Sequence, residues 1–275
     1  MKEELIELKS EDGLYLKGIL WLGIENPVST VLLIHGLGEY GGRYEHVANK
    51  FIDEGFNVVA YDQRGHGKSD GKRGHTPSQD HLLNDLELFI TYCTEKLKQP
   101  LVLYGHSFGG NVLCTFLLKR DTSKIKAAII SSAWLRLAFE PPSFKVTLAK
   151  IMNFLWPSFT QKNDIDSADL TYVDELNRKY VTDKLVHSKI SASLFLNAFN
   201  SAKWCLDNAK KLKTDSLIIH GQDDPIVSLD GSKKLHQDST CSEIKIWSET
   251  KHEPHNDQRN KEVISFVISW IKNKI

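Results

Sequence analysis

Short, almost wholly apolar runs alternate along the chain with longer segments in which apolar residues return every three or four positions. Thr30–His35, Phe56–Tyr61, Leu101–Tyr104, Ala127–Ser131 and Ser216–His220, with the weaker Glu243–Ser248, have the length and composition of strands buried on both faces. Between them, Leu82, Leu83, Leu86, Phe89, Ile90, Cys93 and Leu97 fall on one face of a helix. Val263, Ile264, Phe266, Val267, Trp270 and Ile271 repeat that pattern later. The opening differs, because Leu5–Leu8 and Leu14–Leu22 flank Glu11-Asp12-Gly13 in the manner of an antiparallel hairpin. Strands alternating with helices predict an α/β fold, a mostly parallel eight-stranded sheet flanked by helices.

The alternation stops between Trp134 and Leu206. Pro141-Pro142 is followed there by Phe144, Val146, Leu148, Ile151, Met152, Phe154, Leu155, Trp156 and Phe159, with no convincing buried strand. A stretch of this length between two strands is expected to be an inserted helical cap, residues 134–206, on a core made of residues 1–133 and 207–275. The same apolar spacing also fits helices packed directly onto the sheet.

Composition narrows the function. Thirty-five basic and 35 acidic side chains cancel, and 41% apolar with 25% charged residues is ordinary for a globular chain. Intrinsic disorder is excluded, as is a nucleic-acid binder that works through bulk positive charge. No run approaches the roughly 18 apolar residues of a membrane span, and the first ten residues are charged throughout. Cys93, Cys114, Cys205 and Cys241 are too far apart in sequence for a compact zinc site or a disulfide framework. A soluble, cytoplasmic protein with reduced thiols is the expectation.

After the run ending at Ile34, Gly36, Gly38 and Gly41 match G-x-G-x-x-G, and Asp62 ends the next strand at the distance of a ribose-binding acid. That spacing suggests a dinucleotide site. The same glycines can instead let a loop pass close to a reacting group, and the remaining residues favour that use.

Gly105-His106-Ser107-Phe108-Gly109 is G-x-S-x-G, placed between a buried strand and an apolar helix predicted to start near Asn111. A serine on a sharp strand-to-helix turn needs flanking glycines, and the helix N-terminus offers free N–H groups to developing negative charge. A serine hydroxyl needs a histidine base and an orienting carboxylate, and after such a turn the carboxylate comes first along the chain and the histidine second. Asp224, after the strand Ser216–His220, is the preferred acid with Asp223 the alternative; Asp230 is better suited to cap the next helix. His252 is the preferred base, with His255 the alternative. His252-Glu253-Pro254-His255 is one residue short of a zinc-binding H-E-x-x-H, and Pro254 would break the helix which that motif requires. The oxyanion hole is expected from the N–H groups of Leu37 and Phe108.

Three segments resemble the α/β-hydrolase superfamily, and within it the group of monoacylglycerol lipases and lysophospholipases. His35-Gly36-Leu37-Gly38-Glu39-Tyr40-Gly41-Gly42-Arg43-Tyr44 is similar to the group's H-G-x-G-E-x-x-x-R-Y, and Asp62–Gly71 to its D-x-x-G-H-G-x-S-x-G; Gly105–Gly110 is the third. The resemblance implies a serine esterase that cleaves an acyl chain from a small alcohol, with the chain held under the cap. It also implies that Glu39, Arg43 and His255 lie near a polar alcohol pocket, although Tyr40 stands where the group commonly has histidine.

The expected reaction needs no metal and no cofactor. Its expected partner is a small-molecule acyl ester or lipid, with no nucleic acid involved. Phe144, Leu148, Ile151, Leu155, Trp156 and Phe159 would meet a membrane surface or micelle, line an acyl tunnel, or pack the cap onto the core. Lysophospholipase, short-chain or aryl carboxylesterase, thioesterase and amidase activities use the same parts. A ligand-binding protein on a hydrolase scaffold, without turnover, is the reading from another class.

Overall fold

A computed structural model describes residues 2–23 and 25–275. Eight strands form the main sheet: β1 Lys2–Lys9, β2 Tyr15–Leu22, β3 Ser29–Ile34, β4 Phe56–Tyr61, β5 Leu101–His106, β6 Ile125–Ser131, β9 Ser216–Gly221 and β10 Ser242–Trp247. Their spatial order is β1-β2-β4-β3-β5-β6-β9-β10. The β1–β2 hairpin is antiparallel and β2 pairs antiparallel with β4, while every later pairing is parallel. β3, β4, β5 and β9 are buried along their whole length, which is why they read as continuous apolar runs.

Side chains that alternate along these strands feed two cores. Val31, Leu33, Val102, Tyr104, Ile129 and Ile219 pack with α1 (Glu45–Asp53) and α8 (Asn260–Lys272). Leu32, Ile34, Leu103, Ala128, Ile130 and Ile218 pack with α2 (Gln79–Tyr92) and α3 (Phe108–Lys119). The period-two pleat thus places a core on each face of the sheet.

Residues 134–206 leave the sheet after β6 and return before β9. They form α4 (Ser143–Leu155), β7 (Thr160–Lys162), α5 (Asp174–Thr182), β8 (Lys189–Ser191) and α6 (Ala192–Asp207), with β7 and β8 paired antiparallel outside the main sheet. The two long helices of this segment differ. α6 lies on α3, contributes Leu194, Ala198 and Cys205 to the core, and is tied to it by Asn111 Nδ2 donating to Ala198 O at 3.1 Å. α4 has no buried residue, so its apolar stripe does not pack the segment onto the core.

Local details differ from the sequence pattern. α3 begins at Phe108, immediately after Ser107, rather than near Asn111. The helix expected through Leu97 leaves regular α geometry after Tyr92 and closes with one wider π turn, Cys93–Leu97. Ser228, rather than Asp230, caps α7 (Leu229–Asp238), accepting from the Asp230 N–H at 3.3 Å.

Candidate active site

Because β3, β5, β9 and β10 run parallel, the loops after them open on one edge of the sheet. Those loops carry Leu37, Ser107, Asp224 and His252 respectively. Ser107 has φ 53° and ψ −116°, a conformation that an L-residue keeps only where its surroundings impose it. Its N–H donates to Ser131 O at 2.9 Å, and its carbonyl accepts from Asn111 N at 3.0 Å and Trp134 N at 2.9 Å. Gly109 allows this turn, since a Cβ there would run into the carbonyl oxygens of Ile34 and His35.

Ser107 Oγ lies 2.8 Å from His252 Nε2, and His252 Nδ1 lies 2.8 Å from Asp224 Oδ2. An ionised Asp224 only accepts, so Nδ1 carries the proton and the Nε2 lone pair faces the serine hydroxyl. Asp224 Oδ1 accepts from Ile226 N and Val227 N at 2.9 Å each, which fixes the carboxylate. Burial pushes the Asp224 pKa up, but His252 and His220 outweigh it and hold the carboxyl well below its usual range. For His252, burial disfavours the imidazolium; Asp224 outweighs it, with Glu253 and Glu39 adding to the effect, and the net shift is upward from 6.5.

The alternatives lie elsewhere. Asp223 accepts from Tyr172 OH at 3.2 Å. His255 stacks on Tyr44 with ring centroids 4.8 Å apart, and burial lowers its pKa to about 3.

The loop after β3 is fixed from both sides. His35 Nε2 accepts from Gln63 N at 2.9 Å, so its proton sits on Nδ1 and is donated to Gly36 O at 2.7 Å. Carbonyl and following N–H point in opposite directions across a trans peptide, so this bond also sets the direction of the Leu37 N–H. Gly36 brings that peptide close, because a Cβ on it would stand 3.3 Å from Ser107 Cβ. Among the described residues, neither the Leu37 nor the Phe108 N–H has an acceptor. Both are free for a negatively charged oxygen.

Asp62, which the glycine spacing suggested for a ribose, accepts from Gly41 N at 2.8 Å and Lys68 N at 2.7 Å. Each of its oxygens therefore holds a loop. Glu39, Arg43 and His255 do come together, in a cluster with Tyr44 and Glu253 in which all but the partly exposed Arg43 are buried. Glu253 and His220 were not among the sequence candidates. His220 is fully buried, with Nε2 3.2 Å from Asp224 Oδ2 and Nδ1 2.8 Å from Ser232 Oγ. Its sole sequence signal is a histidine at the end of a strand that leads to the acid.

Residues 134–206 also reach the site. Tyr40 OH donates to Asp183 Oδ2 at 2.7 Å, His187 N to Gly38 O at 2.8 Å, and Arg43 lies 4.8 Å from the Tyr180 ring centroid. Beneath these contacts Ser107 is 9% exposed and His252 3%. Among the described residues no group of three or more His, Cys, Asp or Glu side chains could hold a metal ion, and no helix is long and apolar enough to cross a membrane.

A mostly parallel eight-stranded sheet with this elbow at the end of β5 defines an α/β-hydrolase. Residues 25–259 match the family described as serine aminopeptidase, S33, and the chain belongs to that family. It is 34% identical over 278 residues to an uncharacterised abhydrolase domain-containing protein of Dictyostelium discoideum, covering all of this chain but 30% of that relative's length. It is 28% identical over 257 residues to the monoacylglycerol lipase of Mycolicibacterium smegmatis, covering 92% of this chain and 91% of the relative. The crystal structure of Paleococcus ferrophilus monoacylglycerol lipase superposes with a TM-score of 0.86 at 30% identity, over 95% of this chain and 99% of that one.

Proposed function

We propose that the chain is a serine carboxylic-ester hydrolase, with a monoacylglycerol as its best-supported substrate. The observation that carries this reading is the placement of His252 at 2.8 Å from both Ser107 Oγ and Asp224 Oδ2. Ser107 Oγ attacks the ester carbonyl while His252 Nε2 takes its proton. The Leu37 and Phe108 N–H groups stabilise the oxyanion, and the imidazolium, steadied by Asp224, returns the proton to the departing alcohol. Water then attacks the acyl-enzyme with His252 again as base, releasing the carboxylic acid. The preference for monoacylglycerol comes by analogy from the similar monoacylglycerol lipases.

An amphiphilic substrate also gives α4 a use. Phe144, Leu148, Phe154 and Leu155 are 67%, 53%, 87% and 70% exposed, and Trp156 follows at 55%. A helix face of this kind can lie in a lipid interface. We read it as the element that meets a membrane surface or micelle, with the protein cytoplasmic and peripheral to the membrane. Ser107 and His252 are 9% and 3% exposed, so entry of an acyl chain requires part of the cover from residues 134–206 to move.

The test is hydrolysis of a matched panel with Ser107→Ala as the blank: monoacylglycerols of several lengths, lysophosphatidylcholine, short nitrophenyl esters and an acyl-thioester. We expect a maximum on long-chain monoacylglycerols and a loss of at least about 10⁴-fold in kcat/KM in Ser107→Ala, whose circular dichroism stays native. Activity confined to short activated esters would remove the lipid assignment. Silence across the panel, with no fluorophosphonate labelling, would remove the enzyme.

A further inference from the structure

The proposed reaction uses three side chains and two backbone N–H groups, and leaves the buried charge beside them without a role. Arg43 donates to Glu39 Oε2, and its two terminal nitrogens donate to the two oxygens of Glu253 at 3.2 Å each. Glu39 and Glu253 are each 2% exposed. Two carboxylates and a guanidinium withdrawn from water persist only with thorough pairing, and both carboxylates have it. Glu39 Oε1 accepts from Gly36 N at 2.6 Å and Tyr44 OH at 2.9 Å, and Glu253 Oε2 also accepts from Asn256 Nδ2 at 2.5 Å.

The two ends of this bridge attach to different halves of the site. Glu39 holds the Gly36 N–H, one residue before the Leu37 N–H. Glu253 directly follows His252, and its own N–H donates to Leu170 O at 2.8 Å. We propose that Glu39, Arg43 and Glu253 form a clasp that sets the oxyanion loop against the His252 loop, acting through the Leu37 N–H and His252 rather than by holding the substrate's alcohol. The proposal rests on the serine-hydrolase reading, and it replaces the alcohol-binding role that the family resemblance implies for Glu39 and Arg43. All three are positioning residues.

The two roles separate in kinetics because the alcohol has left before deacylation. An alcohol-binding residue affects acylation by the ester that carries that alcohol. A clasp affects both half-reactions and every ester, since a displacement of about 1 Å in such a site costs on the order of 100-fold.

The experiment compares wild type, Ser107→Ala, Arg43→Met, Arg43→Lys and Glu253→Gln on a monoacylglycerol and a nitrophenyl ester of the same acyl chain. Burst and steady-state phases give acylation and deacylation rates, fluorophosphonate titration counts competent sites, and thermal melting reports folding. We expect Arg43→Met to lower acylation on both esters and deacylation by a common factor of about 10 to 100, with KM changed less than about threefold. Arg43→Lys should restore part of the loss.

The groups facing His252 are Asp224, Glu253 and Glu39 together with the rings of His106 and His255. Only one of these carboxylates changes in Glu253→Gln, so its acid limb should move to lower pH. If Arg43→Met does not fold, Arg43→Lys and Glu253→Gln decide. A defect confined to the monoacylglycerol, or full activity in all three variants while wild type hydrolyses both esters, overturns the clasp alone. Wild type that neither turns over nor takes the label overturns the serine-hydrolase reading with it.

Discussion

Ser107 holds a backbone conformation of φ 53° that costs on the order of 1–3 kcal/mol, and three backbone hydrogen bonds to its N–H and carbonyl keep it there. The result is a hydroxyl at the tip of a rigid turn, facing a histidine whose tautomer Asp224 has already chosen. His252 must be neutral to act as base, so activity should rise with pH through its pKa. Asp224 and the neighbouring glutamates overcome the effect of burial and raise that pKa, so the acid limb of kcat/KM should have its midpoint above 6.5, with a slope of one proton. A profile flat down to pH 5 would mean that His252 is not the base.

Among the elements, α3 and α4 show opposite economies. Every residue of α3 from Phe108 to Leu117 is buried, which makes the helix an anchor for the elbow and for the Phe108 N–H. α4 has no fully buried residue and packs chiefly on α6. Replacing Phe154 and Leu155 together by serine should therefore leave the melting midpoint and the hydrolysis of dissolved short esters nearly unchanged. It should weaken sedimentation with phosphatidylcholine vesicles by about 100-fold, on the scale of two lost apolar side chains at roughly 1.5 kcal/mol each. Equal vesicle binding by wild type and variant would mean that α4 does not meet lipid.

For the molecule as a whole, the active edge of the sheet is bought with buried imidazoles. His35, His66, His106 and His255 are buried, and burial lowers the pKa of each below 6.5, to about 4 for His35 and about 3 for His255. The unfolded chain protonates them near 6.5 while the folded chain does not. Their contribution is complete above that pH and is lost as pH falls toward their folded values, by roughly 1.4 kcal/mol per pH unit for each histidine. His252, shifted the other way, offsets a small part. Urea unfolding should show a steep decline in stability between pH 6.5 and 5, and a level profile there would show that these rings are charged or exposed in the folded state.

Much of this was legible in the residues themselves. Period-two and period-3.6 patterns depend on local backbone geometry, so the strands, the antiparallel opening and the helices could be read along the chain, and the α/β fold followed. The elbow was legible for the same reason: G-x-S-x-G between a buried run and a helix constrains one turn, whatever lies around it. Tertiary structure decided what depends on where separate loops converge. Asp223 and Asp224 are neighbours, as nearly are His252 and His255, and only the parallel register of β5, β9 and β10 determines which of each pair faces Ser107. The pairing of Arg43 with Glu253, 210 positions away, has no local signature. Neither does the second contact of His220 on Asp224, nor the division of residues 134–206 into a core helix and an exposed one. Local sequence sets backbone preference and amphipathic period, whereas contacts between distant side chains are set by the packed sheet that carries them.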